Sequence, residues 1–288
     1  MIASQPIPQG HSDLAKALHL KQKTLEVLLE SAERSYHRYP LRARKRRPRW
    51  IEAPKPLLKR VQRMLLEKFL YQERPREAVH GFYPGRSILT NASSHSGKAW
   101  VLSCDLKDFF PSTKQAMVET ALKRFYGFGE EAGAAILRLV CRGGTLPQGA
   151  PTSPHLANLA FFDGDVELER LADEHGLAYT RYADDLTFSG DSLPDDLEAR
   201  IEEIVNRAGY RLAKGKTKRM GRHQRQKVTG LVVNDGVKLP RSQRRRLRAI
   251  HRDLETKGPD WALARSGYRS SSELAGHLAF ERMVEAAR

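Results

Sequence analysis

The feature that most constrains this chain is the order of elements across residues 101–233. Val101-Leu102-Ser103-Cys104-Asp105 is a short apolar run ending in an acid, which reads as a buried strand closed by the turn Phe110-Pro111-Ser112. Helical spacing covers most of 113–142, interrupted near Gly127 and Gly129. It resumes at Ser153-Pro154, a hydroxyl cap followed by proline at the first helical position, and runs to Gly176. Residues 178–189 read as a hairpin whose turn holds Asp184-Asp185, followed by a helix at 194–208 and a strand at 228–233. Strand, helix, hairpin, helix, strand is the order of a split βαβ sheet, so an α+β fold is expected, with both ends of the chain as appendages. Those ends are predicted to be helical, at 13–34, 55–71, 242–256 and from about 272.

Charge narrows the class of partner. The 288 residues carry 50 Lys and Arg against 34 Asp and Glu, a formal charge of +16. A fold does not require that excess, whereas a polyanion exploits it. Its distribution is uneven. Arg42, Arg44, Lys45, Arg46, Arg47 and Arg49 fall together, and residues 211–252 hold fifteen Lys and Arg against Asp235 as the one acid. Each run is either a solvated surface or a phosphate-backbone track, and the concentration favours the track. Within Ser242–Lys257, Leu247, Ile250 and Leu254 form one helical face, while Arg245, Arg248 and Arg252 form a second. Such a helix buries one side and offers the other to a duplex backbone.

Other classes fall away. Cys104 and Cys141 make neither a disulfide framework nor a C-x-x-C pair. With 40% hydrophobic residues there is material for a core, and no apolar run reaches membrane-spanning length. The start of the chain lacks the pattern of a secretory leader. A cytoplasmic protein without membrane contact is therefore expected. No Cys/His cluster points to zinc, and no phosphate-cradling G-x-x-x-x-G-K-[ST] loop points to an NTPase.

The candidate chemistry lies in three carboxylates. Asp105 ends one predicted strand, and Asp184 and Asp185 lie 79 and 80 residues further on; adjacent central strands bring such ends together. An Asp-Asp pair alone also suits a plain turn. Clustered carboxylates, however, repel one another, and their common use is to hold hard divalent cations. Two such ions about 4 Å apart activate an attacking hydroxyl and stabilise a leaving pyrophosphate. Between the strands, Leu146-Pro147-Gln148-Gly149-Ala150-Pro151-Thr152-Ser153-Pro154 is a rigid loop feeding a helix start, suited either to ordinary capping or to presenting amides and Gln148 to a nucleotide.

Tyr182-Ala183-Asp184-Asp185 resembles the signature tetrapeptide of reverse transcriptases. It follows, in order, Arg49-Trp50-Ile51-Glu52-Ala53-Pro54 with Lys59 and Gln62, then Asp105-Leu106-Lys107-Asp108-Phe109-Phe110, then the 146–154 loop; these resemble that family's fingers, first-aspartate and template/nucleotide-grip motifs. The likeness covers about 36–255. Asn91-Ala92-Ser93-Ser94-His95 is similar to the N-A-x-x-H element of retron reverse transcriptases, and Val228-Thr229-Gly230 to their V-T-G element.

The resemblance implies a right-hand polymerase fold. Its parts would be N-terminal helices and fingers at 1–100, a split βαβ, ferredoxin-like palm at 101–235 with a helical insertion at about 113–145, and a small helical thumb at 236–288. It implies Asp105, Asp184 and Asp185 as catalytic metal ligands, with the carbonyl of Leu106 beside them, for two Mg²⁺ ions that Mn²⁺ can replace. Phe110 would sense the sugar, Gln148 would contact the incoming nucleotide and Arg49 would grip its triphosphate. Lys216 would either protonate pyrophosphate or touch the backbone. Asn91 and His95 would touch RNA. Implied partners are dNTPs, a structured non-coding RNA serving as template and primer, the RNA–DNA duplex, and a separate effector protein. The implied product is a branched RNA–DNA made from an internal guanosine 2′-hydroxyl, in the service of anti-phage defence. No ribonuclease H or endonuclease region is expected. Two alternatives stay open: a group II-like or abortive-infection reverse transcriptase, and a catalytically silent RNA-binding polymerase shell.

Overall fold

The computed structural model describes residues 6–43, 46–74 and 76–287. Arg44 and Lys45 of the first basic run lie outside the described residues, as does the segment 1–5 read above for a leader. The strands are β1 Tyr36–Ala43, β2 Arg46–Pro54, β3 Trp100–Asp105, β4 Ala178–Tyr182, β5 Asp185–Gly190, β6 Lys218–Gly221, β7 Lys227–Val228 and β8 Leu231–Val232. They form a β1–β2 hairpin, a four-stranded antiparallel sheet in the order β4-β5-β3-β6, and a small β7–β8 hairpin. Mixed helix and antiparallel sheet gives the α+β class.

The order expected from the sequence is present with one substitution. The strand that closes the sheet beside β3 is β6, not residues 228–233. Lys-Arg-Met-Gly has no apolar alternation to announce it, whereas 228–233 contains the β7–β8 hairpin instead. The charged β1–β2 hairpin was equally silent. Two predicted helices are each split. The first becomes His11–Ala17 and Gln22–Ser31, broken at His19 with φ +50°. There His19 N–H bonds the Lys16 carbonyl and Leu20 N–H the Ala15 carbonyl, a left-handed helix stop that glycine usually signals. The second becomes Ser153–Ala160 and Phe162–Glu174. Helices Pro56–Lys68, Gln115–Phe125, Glu130–Val140, Leu197–Arg207, Arg241–Lys257 and Ser271–Ala286 lie where periodicity puts them, and Pro259–Ser266 is additional.

Two apolar cores hold these elements. One joins Leu14, Leu25, Leu58 and Leu65 from the N-terminal helices to Leu102 and Leu186 of the sheet. The other joins Leu89 and Ala92 of the helix Ile88–Ser93 to Val101, Val228, Leu231, Leu247, Ile250 and Val284. Each leucine sealed from water contributes about 2 kcal/mol, so the terminal helices are fixed to the sheet rather than appended loosely. No helix among the described residues is long and apolar enough to cross a membrane.

Candidate active site

The register of the central sheet sets the site. Asp105 and Asp185 are directly opposed partners at the end of the β3–β5 ladder, so their side chains leave the same face. Asp184 sits in the two-residue connection between β4 and β5, after Ala183 at φ +58°. The turn is tied sideways to β3, because Leu106 N–H donates to the Asp184 carbonyl at 2.7 Å. Asp105 is tied on its other side, where Ala213 N–H donates to its carbonyl at 2.7 Å. Three carboxylates therefore share one sheet end, 79 residues of sequence apart but fixed by backbone pairing.

That crowding is electrostatically costly. Burial, then the neighbouring Asp184 and Asp105 charges, push Asp185 up to about 6. Asp184 is also raised, chiefly by burial and further by Asp105, against the pull of Arg49 and Lys216. Lys216 forms an ion pair with Asp105, whose side chain is 15% exposed. Among the described residues no group of three or more His, Cys, Asp or Glu is already gathered into a cage for a metal ion. With Lys216 seated on Asp105, the carboxylates share a sheet end without converging on one point. The donor set, oxygen alone with excess negative charge, nevertheless fits a hard divalent cation.

A cavity of about 690 Å³ opens on one side of this sheet end. Its wall contains Asp105, Leu106 and Asp184 together with Arg49, Phe110, Gln148 and Lys216. Every residue that the sequence nominated for the nucleotide therefore faces one space. Arg49 arrives from β2, and the 146–154 loop docks against that strand: Glu52 N–H donates to the Gln148 carbonyl at 2.8 Å. Gly149 is required there, since at φ +131° an added Cβ would lie 3.1 Å from the Glu52 carbonyl oxygen. Phe110 stands between Phe109 and Phe82, with ring centroids 5.6 and 6.0 Å away. A second cavity, of about 650 Å³, lies on the other side of Asp105. Asp185 meets Lys218, Arg225, Lys227, Thr229 and Gly230 there.

Asn91 and His95 do not reach either cavity. Both are fully buried. The His95 ring bridges Ser189 Oγ and Thr180 Oγ1, each at 2.7 Å, and burial pulls its pKa down to about 3, so it stays neutral. The expected RNA contact does not fit this burial: neither side chain is exposed to reach RNA, and His95, just past the helix Ile88–Ser93, ties that segment to the β4–β5 hairpin. That helix also meets the V-T-G turn. Thr229, at φ +44°, donates from its hydroxyl to the Ile88 carbonyl at 2.9 Å, which offsets the strain of a β-branched residue in that conformation. The helix that carries Asn91 is thus tied at its first residue to the V-T-G turn.

Arg245, Arg248 and Arg252 are exposed along the helix Arg241–Lys257, while Leu247 and Ile250 are buried beneath. Sequence reasoning missed a further group directly under the turn. Arg181 is wholly buried and ion-paired to Asp165 at 2.6 Å. Asp165, on the helix Phe162–Glu174, is equally sealed from water. An Arg preceding Tyr182 inside an apolar strand was the signal, because arginine is almost never buried without a partner.

Similarity to known proteins agrees with the geometry. The family described as "Reverse transcriptase (RNA-dependent DNA polymerase)" matches residues 40–233. The retron Mx162 reverse transcriptase of Myxococcus xanthus is 36% identical over 277 residues, covering 83% of this chain and 56% of the relative. The retron Mx65 reverse transcriptase of the same organism is 37% identical over 230 residues, covering 73% and 54%. The retron Ec86 reverse transcriptase of Escherichia coli is 34% identical over 252 residues, covering 85% and 78%. The match thus spans a little over half the length of the two Myxococcus proteins. The cavity residues at 49, 105, 110, 148 and 184 all fall inside the matched region, and the chain belongs to the reverse transcriptase family, in its retron type.

Proposed function

We propose that this protein is an RNA-directed DNA polymerase that copies a structured non-coding RNA. The observation that carries the reading is the 690 Å³ cavity, in which Arg49, Phe110, Gln148 and Lys216 surround the Asp105–Asp184 wall. Phosphoryl transfer asks a protein mainly for positioning and for neutralisation of charge. Arg49 offers a guanidinium fork to the triphosphate oxygens. Phe110 packs against the sugar and leaves no room for a 2′-hydroxyl, so dNTPs are selected. Gln148, held on β2, orients the nucleotide. Lys216, paired with Asp105 in the same cavity, would be placed to meet the leaving pyrophosphate.

Asp105, Asp184 and Asp185, with the Leu106 carbonyl, hold the divalent cations. Divalent cations held there, Mg²⁺ on this reading, would supply activation of the attacking hydroxyl and stabilisation of the leaving oxygen. The second cavity, with Lys218, Arg225 and Lys227 on its wall, takes the end of the priming strand. The exposed arginines of Arg241–Lys257 follow the duplex backbone. In hand-like terms the fingers occupy 1–100, the palm 101–235 and the thumb 236–288.

Relatives named as retron reverse transcriptases support a native RNA that both primes and templates. A branched RNA–DNA product, anti-phage defence and a separate effector belong to the same reading. The test is to purify the protein with its bound RNA from the source cell and supply labelled dNTPs with Mg²⁺. Labelled DNA joined to that RNA through a 2′ linkage, complementary to an adjacent RNA stretch, is expected. Free DNA unrelated in sequence to the bound RNA would reject the reading.

A further inference from the structure

The buried charge beneath the turn has no place in the chemistry above. An ion pair sealed from water loses more in desolvation than it recovers unless its geometry is complete, and an apolar pair of similar volume is often as stable. Here the geometry is complete. Arg181 donates from Nε to Asp165 Oδ1 at 2.8 Å and from Nη2 to Asp165 Oδ2 at 2.6 Å. Its Nη1 is shared between Asn158 Oδ1 at 2.9 Å and the Ala183 carbonyl at 3.0 Å. Asp165 also accepts from the Tyr179 hydroxyl at 2.8 Å. The rings of Phe109 and Phe161 lie 5.4 and 5.2 Å from the guanidinium carbon.

The bond to Ala183 gives the network its direction. Ala183 is the left-handed residue of the turn, and its carbonyl belongs to the peptide that leads into Asp184. Arg181 holds that peptide from below while Leu106 holds the next carbonyl from the side. Two further contacts close the frame. Asn158 Nδ2 donates to the Gly81 carbonyl at 3.1 Å, and Gly81 lies so close that an added Cβ would come within 2.6 Å of the Ala183 nitrogen. The turn is thus clamped by helices Ser153–Ala160 and Phe162–Glu174, by β4 and by the segment around Gly81. What remains free is side-chain rotation at Asp184 and Asp185.

We propose that Arg181, oriented by Asp165 and Asn158, is a positioning residue that fixes the Ala183–Asp184 peptide so that the Asp184 and Asp185 carboxylates converge with Asp105 on divalent cations. Outer partners that orient metal-ligating groups are commonly worth about 10–100-fold in metal affinity or activity. The catalytic half of the claim rests on the polymerase reading; the cation-binding half does not.

Three variants of the full chain separate positioning from stability: Arg181→Lys, Asn158→Ala and the apolar pair Arg181→Met/Asp165→Leu. Each is measured for thermal unfolding, for Mn²⁺ binding by electron paramagnetic resonance without substrates, and for the Mn²⁺ dependence of DNA synthesis. The apolar pair loses the buried charge but strands the Tyr179 hydroxyl, Asn158 Oδ1 and the Ala183 carbonyl, so it is expected to stay folded with a lowered melting temperature and to bind RNA as wild type does. Its Mn²⁺ dissociation constant and the Mn²⁺ concentration for half-maximal synthesis should both rise about 10–100-fold, with KM for dNTP unchanged. Arg181→Lys keeps the charge but has one ammonium for four acceptor oxygens on three residues, and should show the same defect in smaller measure. A folded apolar pair with wild-type Mn²⁺ affinity would overturn the proposal. So would loss of folding in all three variants, which would make the network a stability element. If wild type binds Mn²⁺ but makes no DNA, the polymerase reading fails and Mn²⁺ binding still decides this one.

Discussion

Substituting Asp185 should stabilise the protein while destroying its activity. Its pKa is displaced from 3.8 to about 6 by burial and by the charges of Asp184 and Asp105. Each pH unit of displacement corresponds to about 1.4 kcal/mol, so ionising this carboxyl in the folded protein costs roughly 3 kcal/mol. Asp185 keeps partial solvent contact, and screening reduces the figure to about 2 kcal/mol. The sign follows from linkage. A carboxyl whose folded pKa is raised favours folding while protonated, and that advantage is lost as pH climbs from about 4 through 6. Above pH 7 the full penalty is present, and Asp185→Asn removes it. In EDTA at pH 7.5 the variant should therefore melt roughly 4–6 °C above wild type. The difference should vanish near pH 4, and Mg²⁺ should raise the melting temperature of wild type far more than that of the variant. Comparing the two proteins at each pH cancels the half-buried His80 and the buried His95 and His155, whose pKa values desolvation lowers to about 4, 3 and 4. Those residues make both proteins less stable as pH falls below about 6.5. The measurement is calorimetric melting from pH 4 to 8 with and without Mg²⁺. A variant less stable than wild type in EDTA at pH 7.5, or a difference flat across pH, would refute the argument.

Three other outcomes can be checked. Phe110→Ala should raise ribonucleotide incorporation relative to deoxyribonucleotide in single-turnover assays, because it opens the cavity at the sugar; unchanged selectivity would reject Phe110 as the gate. His95→Ala should lower stability by about 2–4 kcal/mol, since it strands the Ser189 and Thr180 hydroxyls in the interior and leaves a void, and RNA affinity of the folded fraction should not change. Replacing Arg245, Arg248 and Arg252 together by Gln should weaken RNA binding across sequences and reduce the salt slope of log affinity by up to about 3; an unaltered slope would place the duplex elsewhere.

The grouping of the candidate site was legible because its residues come by motif and order: Asp105 and Asp184 lie at one sheet end, and Phe110 and Gln148 lie in short segments that line the same cavity. The closing strand was not legible. Lys218–Gly221 is paired through its backbone to Trp100–Ser103, and backbone pairing leaves no trace in the sequence Lys-Arg-Met-Gly. His19 as a left-handed helix stop hid a helix break for the same reason: the conformation is imposed by neighbours, not by a glycine. Asn91 and His95 show the opposite limit: nothing in the short motif that contains them announces that both side chains are sealed from solvent. Arg181 and Asp165 are partners 16 residues apart whose pairing depends on how two helices cross the sheet, and one sequence carries no signal for that crossing.

The most direct test of the central claim is primer extension on a defined RNA template with dNTPs and Mg²⁺, with wild type beside Asp184→Asn/Asp185→Asn. Wild type should make DNA complementary to the template, and the double variant should bind the same RNA and make none. Synthesis that survives in the variant, or product whose sequence ignores the template, would contradict the assignment of the β3–β5 sheet end as the polymerase centre.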